Sequence, residues 1–548
     1  MYDNARQHRS ATVTASIQNN AVTLSPLPMA PPEPLGAELR FHTMSAVHSL
    51  EDLIEQLGNP GRFQVVLILM LQMQEIPVAW ATLMMSVFAK VPDWWCPGAF
   101  NATTGCFDCT NETYQYCPAN QTTCDYPYFD PQMATVVSEW NLICDSEAVT
   151  ATMTSIQMAG NLVGAIVSGQ ISDAFGRKVA LYLCLLILTV FCTVAGFATS
   201  WQMFTVCSFF IGIACGGYLV TCYPQSVEFV RARWRTTVGA FPFWTLGLVL
   251  FGFVAWIIHD VRHFCFFIAA IEAPILLTYR LFPESIRWQL SRGRVHDAKR
   301  SINRIIKMNQ IQTPDLSQLQ MIAEHEQTLL ALQKKYTFIH LFNSKEKIKT
   351  AAVFHAMWFI SSVMYYGLSL GARTWVGSVY LNITLTGLTG LPRIPIVIYL
   401  NDRIGRRWTS FCFYLLCSVA CFTVAACSAA DLAGLPTINF SLALTAQMSV
   451  TVAWAAMKVF TAEHYPTVIR TLGLSACNIA AGLGSILAPY MVLMTEHGLV
   501  VPYAVMGILI LTNVGLPFLL EETAKKPLED AYSRSQVENC NQTTPTNT

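Results

Sequence analysis

Charge is what this sequence has least of: only 12% of its 548 residues are Asp, Glu, Lys or Arg, about half the roughly 25% usual in soluble proteins, while 53% are apolar. Most helices of such a chain cannot be solvated, which excludes a soluble globular protein and leaves a polytopic membrane protein. Also lacking are a phosphate loop, a nucleophile elbow and metal-ligand spacing, so neither an enzyme nor a cofactor or metal is expected, and ATP has no evident site. No cleavable signal peptide is visible, because the first apolar run begins near Val65 after a polar segment holding Pro26, Pro28, Pro31, Pro32 and Pro34. The first helix should serve as its own insertion signal. The formal net charge is zero, and because acidic and basic residues sit in different loops the total says nothing about partners, among which no nucleic acid is expected; the distribution of charge is more telling.

Twelve apolar runs are long enough to cross a bilayer core, each needing about 20 residues. They span 65–88, 148–171, 179–198, 201–222, 237–258, 264–282, 350–371, 375–400, 408–429, 439–461, 473–494 and 499–520. Basic loops holding Arg177 and Lys178, then Arg231, Arg233 and Arg235, then Arg403, Arg406 and Arg407, and then Arg470 all fall on one side, which the positive-inside rule assigns to the cytoplasm. The expected organisation is a cytoplasmic N-terminal segment 1–64, a six-helix bundle 65–282 with an outer loop 89–147, a cytoplasmic linker 283–349, a second six-helix bundle 350–520 and a cytoplasmic tail 521–548. In the linker, Arg287, Arg292, Arg294, Lys299, Arg300, Arg304 and Lys307 alternate with apolar residues at helical spacing. That pattern suits amphipathic helices on anionic lipid, or a solvated connection.

One set of charged signals is written twice, at an interval of about 230 residues. Asp173, Gly176, Arg177 and Lys178 recur as Asp402, Gly405, Arg406 and Arg407; Glu228, Arg235, Thr236 and Gly239 recur as Glu463, Arg470, Thr471 and Gly473; Glu284 and Ser285 recur as Glu522 and Thr523. Three motifs in one order mark two homologous halves, a common build of secondary transporters. Each lies where a helix meets the basic face, and carboxylates there are costly unless paired. Glu228 with Arg235 and Glu463 with Arg470 are the expected partners, forming a gate that latches the two halves and breaks when the protein opens inward. Anchoring alone accounts for the arginines, but not for the repeated acids.

The outer loop carries Cys96, Cys106, Cys109, Cys117, Cys124 and Cys144, and sequons at Asn101, Asn111 and Asn120. Six cysteines allow fifteen pairings, and the sequons suit an oxidising face, so disulfides are expected there. A zinc site using Cys106 and Cys109 is the alternative, without paired histidines to support it. The remaining cysteines lie almost all in apolar runs, as small buried hydrophobes.

Four ionisable residues lie well inside the runs: Glu75, His355, Arg393 and Lys458. Such residues are candidates for a substrate path, the alternatives being ion pairs within a bundle or, for Lys458, snorkelling to the interface near Glu463. Pro392 and Pro395 flank Arg393 and free backbone carbonyls for a kink or a cavity. Tyr223, Tyr365, Tyr366, Trp358 and Trp454 supply ring faces that attract organic cations and stack on flat anions.

The stretch from Gly169 through Asp173 to Gly176, Arg177 and Lys178 resembles the signature of the major facilitator superfamily. Glu139 to Cys144, Pro283 to Trp288, Tyr365 to Leu368, and Glu463, Tyr465, Pro466, Thr467 and Arg470 resemble motifs of the organic cation, organic anion and carnitine transporters (solute carrier family 22). The likeness covers about residues 50 to 530. It implies an all-α membrane protein of twelve transmembrane helices in two pseudo-symmetric bundles, with a central polyspecific cavity. It also implies movement of small organic ions by alternating access at a plasma membrane. Two positions depart from the pattern: Gly390 stands where cation carriers have a glutamate before the proline, and Gly482 where relatives have aspartate or arginine. The resulting expectation is a transporter of organic cations or zwitterions such as carnitine-like compounds. The alternatives are an organic anion transporter or a non-transporting receptor on the same fold.

Overall fold

In the computed structural model the described residues run from 49 to 524, apart from 59, 96–99, 102–105, 108–126, 232–233, 236–237, 239–240, 333–341, 343, 431–434, 466–469 and 497. Twelve helices occupy the places of the twelve runs. In the first half these are α1 (Arg62–Phe88), α2 (Glu147–Phe175), α3 (Arg177–Gly196), α4 (Trp201–Val227), α5 (Phe243–Ile257) and α6 (Val261–Arg280). In the second they are α7 (Lys345–Thr374), α8 (Val379–Arg403), α9 (Arg406–Ala429), α10 (Pro436–His464), α11 (Arg470–Thr495) and α12 (Val500–Leu519). Ten are both long and apolar enough to cross a membrane. The exceptions are α2, which carries a buried polar stripe including Thr154, Ser155, Gln157 and Ser168, and α5, which has 15 residues. It starts later than the run at 237–258 because Pro242, which has no N–H to give a preceding turn, stands at its N-cap.

Local chemistry explains several helix starts. The hydroxyls of Ser200 and Ser344 accept the backbone N–H of Met203 and Lys347 at the heads of α4 and α7, and Asp260 accepts those of Arg262 and His263 at the head of α6. Each satisfies a donor that a helix leaves unpaired, worth about 1 kcal/mol. Two helices are discontinuous. In α1 the turn at Gln74 separates Arg62–Met73 from Glu75–Leu83; in α8 Leu391 and Pro392 separate Val379–Gly390 from Arg393–Arg403.

The linker forms helices Ile286–Ser291, Val295–Asn309 and Leu319–Leu332. Val295–Asn309 buries Ala298, Ser301, Ile302, Ile305 and Ile306, one face at helical spacing, against the first half. Asn309 fixes it there: its amide donates to Leu57 O (2.6 Å) and Gln64 Oε1 (3.0 Å) and its Oδ1 accepts Phe63 N–H (2.7 Å). The opposite face carries the long loop. Trp94–Trp95 pairs antiparallel with Tyr128–Phe129, and Phe100–Asn101 with Cys106–Phe107. Cys144 is disulfide-bonded; Cys96, Cys109, Cys117, Cys124, Asn111 and Asn120 lie outside the described residues.

The halves meet along two seams. On one, Ser155 of α2 donates to Ile486 O of α11 (2.8 Å). On the other, a Cβ on Gly252 of α5 would stand 2.1 Å from Thr384 Oγ1 and 2.2 Å from Tyr380 O of α8, so only glycine permits this approach. Arg373, 5% exposed, donates to Met85 O at the end of α1. All hydrogen bonds joining the halves among the described residues lie between mid-helix and the loop face. Towards the motif face, Ile398 and Tyr399 on the second part of α8 are exposed.

Candidate functional site between the halves

Glu75 and Arg393 each open the helical segment that follows a break, in α1 and α8. Both lie within electrostatic reach of Lys458 of α10. The Glu75 carboxylate faces the backbone amide of Trp244 and feels both Arg393 and Lys458, yet neither cation closes to an ion pair with it among the described residues. Lys458 is surrounded by protein on all sides but remains exposed to solvent, as expected of a residue lining an internal, water-accessible space. Its Nζ stands 5.2 Å from the ring centroid of Trp454 and 5.9 Å from that of Trp358. It points into the centre rather than snorkelling towards Glu463, because two ring faces offer it a closer partner than the interface.

Aromatic side chains enclose the charges. Tyr365 meets Tyr366 edge-on at 5.3 Å and Trp454 at 5.5 Å, and Trp454 meets Trp358 at 6.3 Å and 86°. Trp244 of α5 donates its indole N–H to Tyr365 Oη (3.1 Å), a hydrogen bond that crosses from one half to the other. Sequence reading missed Trp244; a tryptophan at a helix start has no distinguishing signal. It also missed Glu272 in α6, which satisfies the same depth criterion as Glu75 and is 0% exposed. Neither Glu272 carboxylate oxygen meets a donor among the described residues. Tyr223 is 46% exposed and, among the described residues, shares none of the ring or charge contacts of this centre. His355 packs against Phe342 and Ala351 O, away from it.

Gly390 and Gly482 fall on the seams rather than in open space. A Cβ would meet Thr245 Cγ2 at 2.9 Å from Gly390 and Leu162 Cδ1 at 2.6 Å from Gly482. A charged side chain fits at neither position without displacing a neighbour. The charges of the centre come from other positions.

At the motif face the repeat becomes two matching clusters, with partners other than those expected. Arg177 donates to Glu228 (3.2 Å), to Asp173 and to Ser172 Oγ (3.1 Å). Arg406 donates to Glu463 (2.9 Å), stands 3.9 Å from Asp402 and donates to Asn401 O (3.0 Å). Glu228 therefore does not pair with Arg235, nor Glu463 with Arg470. The turns at Gly176 (φ 121°) and Gly405 (φ 94°) start α3 and α9 so that Arg177 and Arg406 face the carboxylates ending the neighbouring helices. Arg235 is carried instead to Glu51 (2.9 Å), which also binds Arg287 (2.5 Å), while Arg470 donates to Tyr465 O (3.3 Å). Burial alone would raise the Glu51 carboxyl, but these two arginines outweigh it and hold it below its ordinary value. Asp173 and Asp402 are 71% and 72% exposed, so their pairs contribute little; the shielded Glu228 and Glu463 pairs dominate.

Glu284 and Glu522 act differently again. Glu284 accepts the backbone N–H of Lys178 (3.0 and 3.2 Å), and Glu522 those of Arg406 (3.1 Å) and Arg407 (3.0 Å). Each carboxylate caps the first turn of a helix in its own half, where the helix dipole favours negative charge. Burial pushes the Glu284 carboxyl up, and the amides of Lys178 and Ser285 pull it back. Among the described residues, every ion pair of the repeated motifs stays within one half or joins it to the flanking segments. The expected latch across the halves is not formed among the described residues in this conformation, because Arg177 and Arg406 each find a carboxylate within their own half.

A helical membrane protein of two matched halves with a charged, aromatic centre between them has the build of a membrane transporter, not an enzyme. The family model for sugar (and other) transporters matches residues 81–533, and the chain belongs to that family. Within it, the chain is 31% identical to organic cation/carnitine transporter 2 of Mus musculus, over 74% of this chain and 72% of the relative. It is 28% identical to the organic cation transporter protein of Drosophila melanogaster, over 75% and 76%. Among solved structures, an inward-open conformation of the xylose transporter XylE from E. coli superposes with a TM-score of 0.60 at 14% identity, covering 85% of this chain and 98% of that one. That likeness bears on the fold, a twelve-helix major facilitator architecture.

Proposed function

We propose that this protein carries small organic ions across a plasma membrane by alternating access, without ATP, with both termini and the motif face in the cytoplasm. Kinship favours an organic cation or a zwitterion such as a carnitine-like compound, with an organic anion as the alternative. The observation that carries the reading is the solvent-accessible cluster of Glu75, Arg393 and Lys458 with Trp244, Tyr365, Tyr366, Trp358 and Trp454 at the junction of the halves. Charges left without ion-pair partners at mid-membrane are costly to maintain, and a transported ion is the natural complement. Tyr223 belongs to this proposal through family likeness alone.

In this scheme the bundles 65–282 and 350–520 rock about the centre. The clusters around Arg177 and Arg406 brace the cytoplasmic ends of each half, and closure brings the halves together there. The loop 89–147 lies outside the cell, stapled by disulfides among Cys96, Cys106, Cys109, Cys117, Cys124 and Cys144 and glycosylated at Asn101, Asn111 and Asn120. The test is labelled uptake into proteoliposomes across cations, anions and zwitterions, at varied pH and sodium. Saturable uptake of at least one class is expected. Glu75→Gln should change the preferred class or lower uptake about tenfold or more, as loss of a central charge predicts. Unchanged uptake of every class would remove Glu75 from the path, and no flux with retained binding would make the protein a receptor.

A further inference from the structure

The transporter reading can be carried to the charge class of its substrate. An empty aromatic box attracts organic cations, because ring faces carry negative potential. Here a part of the chain already occupies the box: Lys458 Nζ lies over Trp454 at 5.2 Å and Trp358 at 5.9 Å, with Tyr365 closing the side at 5.5 Å from Trp454. An organic cation entering this corner must displace a covalently tethered one.

The electrostatic balance points the same way. Two cations face one carboxylate, and neither Arg393 nor Lys458 has an ion-pair partner among the described residues. Arg393 is also the first residue of its segment, where the backbone already contributes positive potential that its guanidinium reinforces. A guanidinium in an enclosed, accessible site binds a carboxylate through two parallel N–H bonds, the strongest neutral-pH pairing available to it. Glu75, facing both cations, disfavours a second negative charge and leaves a place for the positive end of a zwitterion.

We propose that Lys458 is a built-in cation that fills the aromatic box, so that the centre selects organic ions bearing one carboxylate, held by Arg393 and Lys458, over organic cations that lack one. Lys458 is thus the residue that sets charge specificity, while Gly390 and Gly482, packed into the seams, play no part in it.

The test measures initial uptake of labelled tetraethylammonium, hippurate and carnitine by the full-length protein in proteoliposomes. The wild type is expected to prefer hippurate or carnitine to tetraethylammonium. Lys458→Gln and Lys458→Met vacate the box and should raise the ratio of tetraethylammonium to hippurate uptake by about tenfold or more, while Lys458→Arg preserves it. A wild type that prefers tetraethylammonium, or a ratio unmoved within about twofold in both neutral variants, overturns the proposal. Should the wild type move none of the three ions, the transporter reading falls. Equilibrium binding of the same ions to the wild type and variants in detergent then decides the selectivity by the same ratio.

Discussion

Replacing Gly405 by alanine, alone and with Glu522→Ala, isolates the contact that starts the second half's motif helix. At φ 94° and ψ 164° an alanine pays about 1–3 kcal/mol of backbone strain. Its Cβ would also stand 2.7 Å from Glu522 Oε2 and 2.9 Å from Cδ, closer than real contacts allow, and so must push the carboxylate off the amides of Arg406 (3.1 Å) and Arg407 (3.0 Å). Two charge-assisted bonds are at stake, each worth about 1.5–3 kcal/mol. Gly405→Ala is therefore expected to cost about 4–9 kcal/mol and Glu522→Ala about 3–6 kcal/mol. The double variant should cost at least about 1–2 kcal/mol less than their sum, because with the carboxylate gone the methyl group has room and only backbone strain remains. Denaturant titration of the purified protein in mixed micelles measures all three. Costs that add within about 0.5 kcal/mol would refute the reasoning. The twin site at Gly176 and Glu284, where the Cβ would stand 2.3 Å from Oε2, should show coupling of the same sign.

Other consequences can be checked separately. Glu272→Met removes a carboxylate that meets no donor, so thermal stability should stay constant or rise; a loss of more than about 1 kcal/mol would reveal a hidden partner. The Glu51 carboxyl is held below its ordinary value of 4.5 by Arg235 and Arg287 against the effect of burial. Its stabilisation is complete above that value and is lost as pH falls below it. Hydrogen exchange in Leu50–Gln56, corrected for intrinsic rate, should stay constant from neutral pH down to 4.5 and rise below; Glu51→Gln should abolish that step, and an equal step in both proteins would count against the pairing.

Much of the architecture is legible without coordinates, because it depends on local chemistry. Twelve apolar runs follow from the cost of exposing backbone in lipid, and helix starts follow from Ser200, Ser344, Asp260 and the positive-φ glycines 176 and 405. The duplicated motifs declare two halves because each half needs the same turn and the same capping acid. Partnership was another matter. Glu228 lies seven positions from Arg235 and pairs instead with Arg177, because ion pairs form between helix ends that become neighbours, and chain order does not say which ends those are. Glu75, Arg393 and Lys458 stand out as charges in apolar runs, but their convergence, the insertion of Lys458 between two tryptophans, and the bond from Trp244 to Tyr365 across the halves depend on how the bundles dock. Gly390 and Gly482 look in sequence like missing charges; only the seams show that a larger side chain at either position would have to displace Thr245 or Leu162. Sequence by itself determined what must lie in the membrane and where its helices turn. Tertiary structure alone decided which charges meet, because that is set by packing between segments hundreds of residues apart.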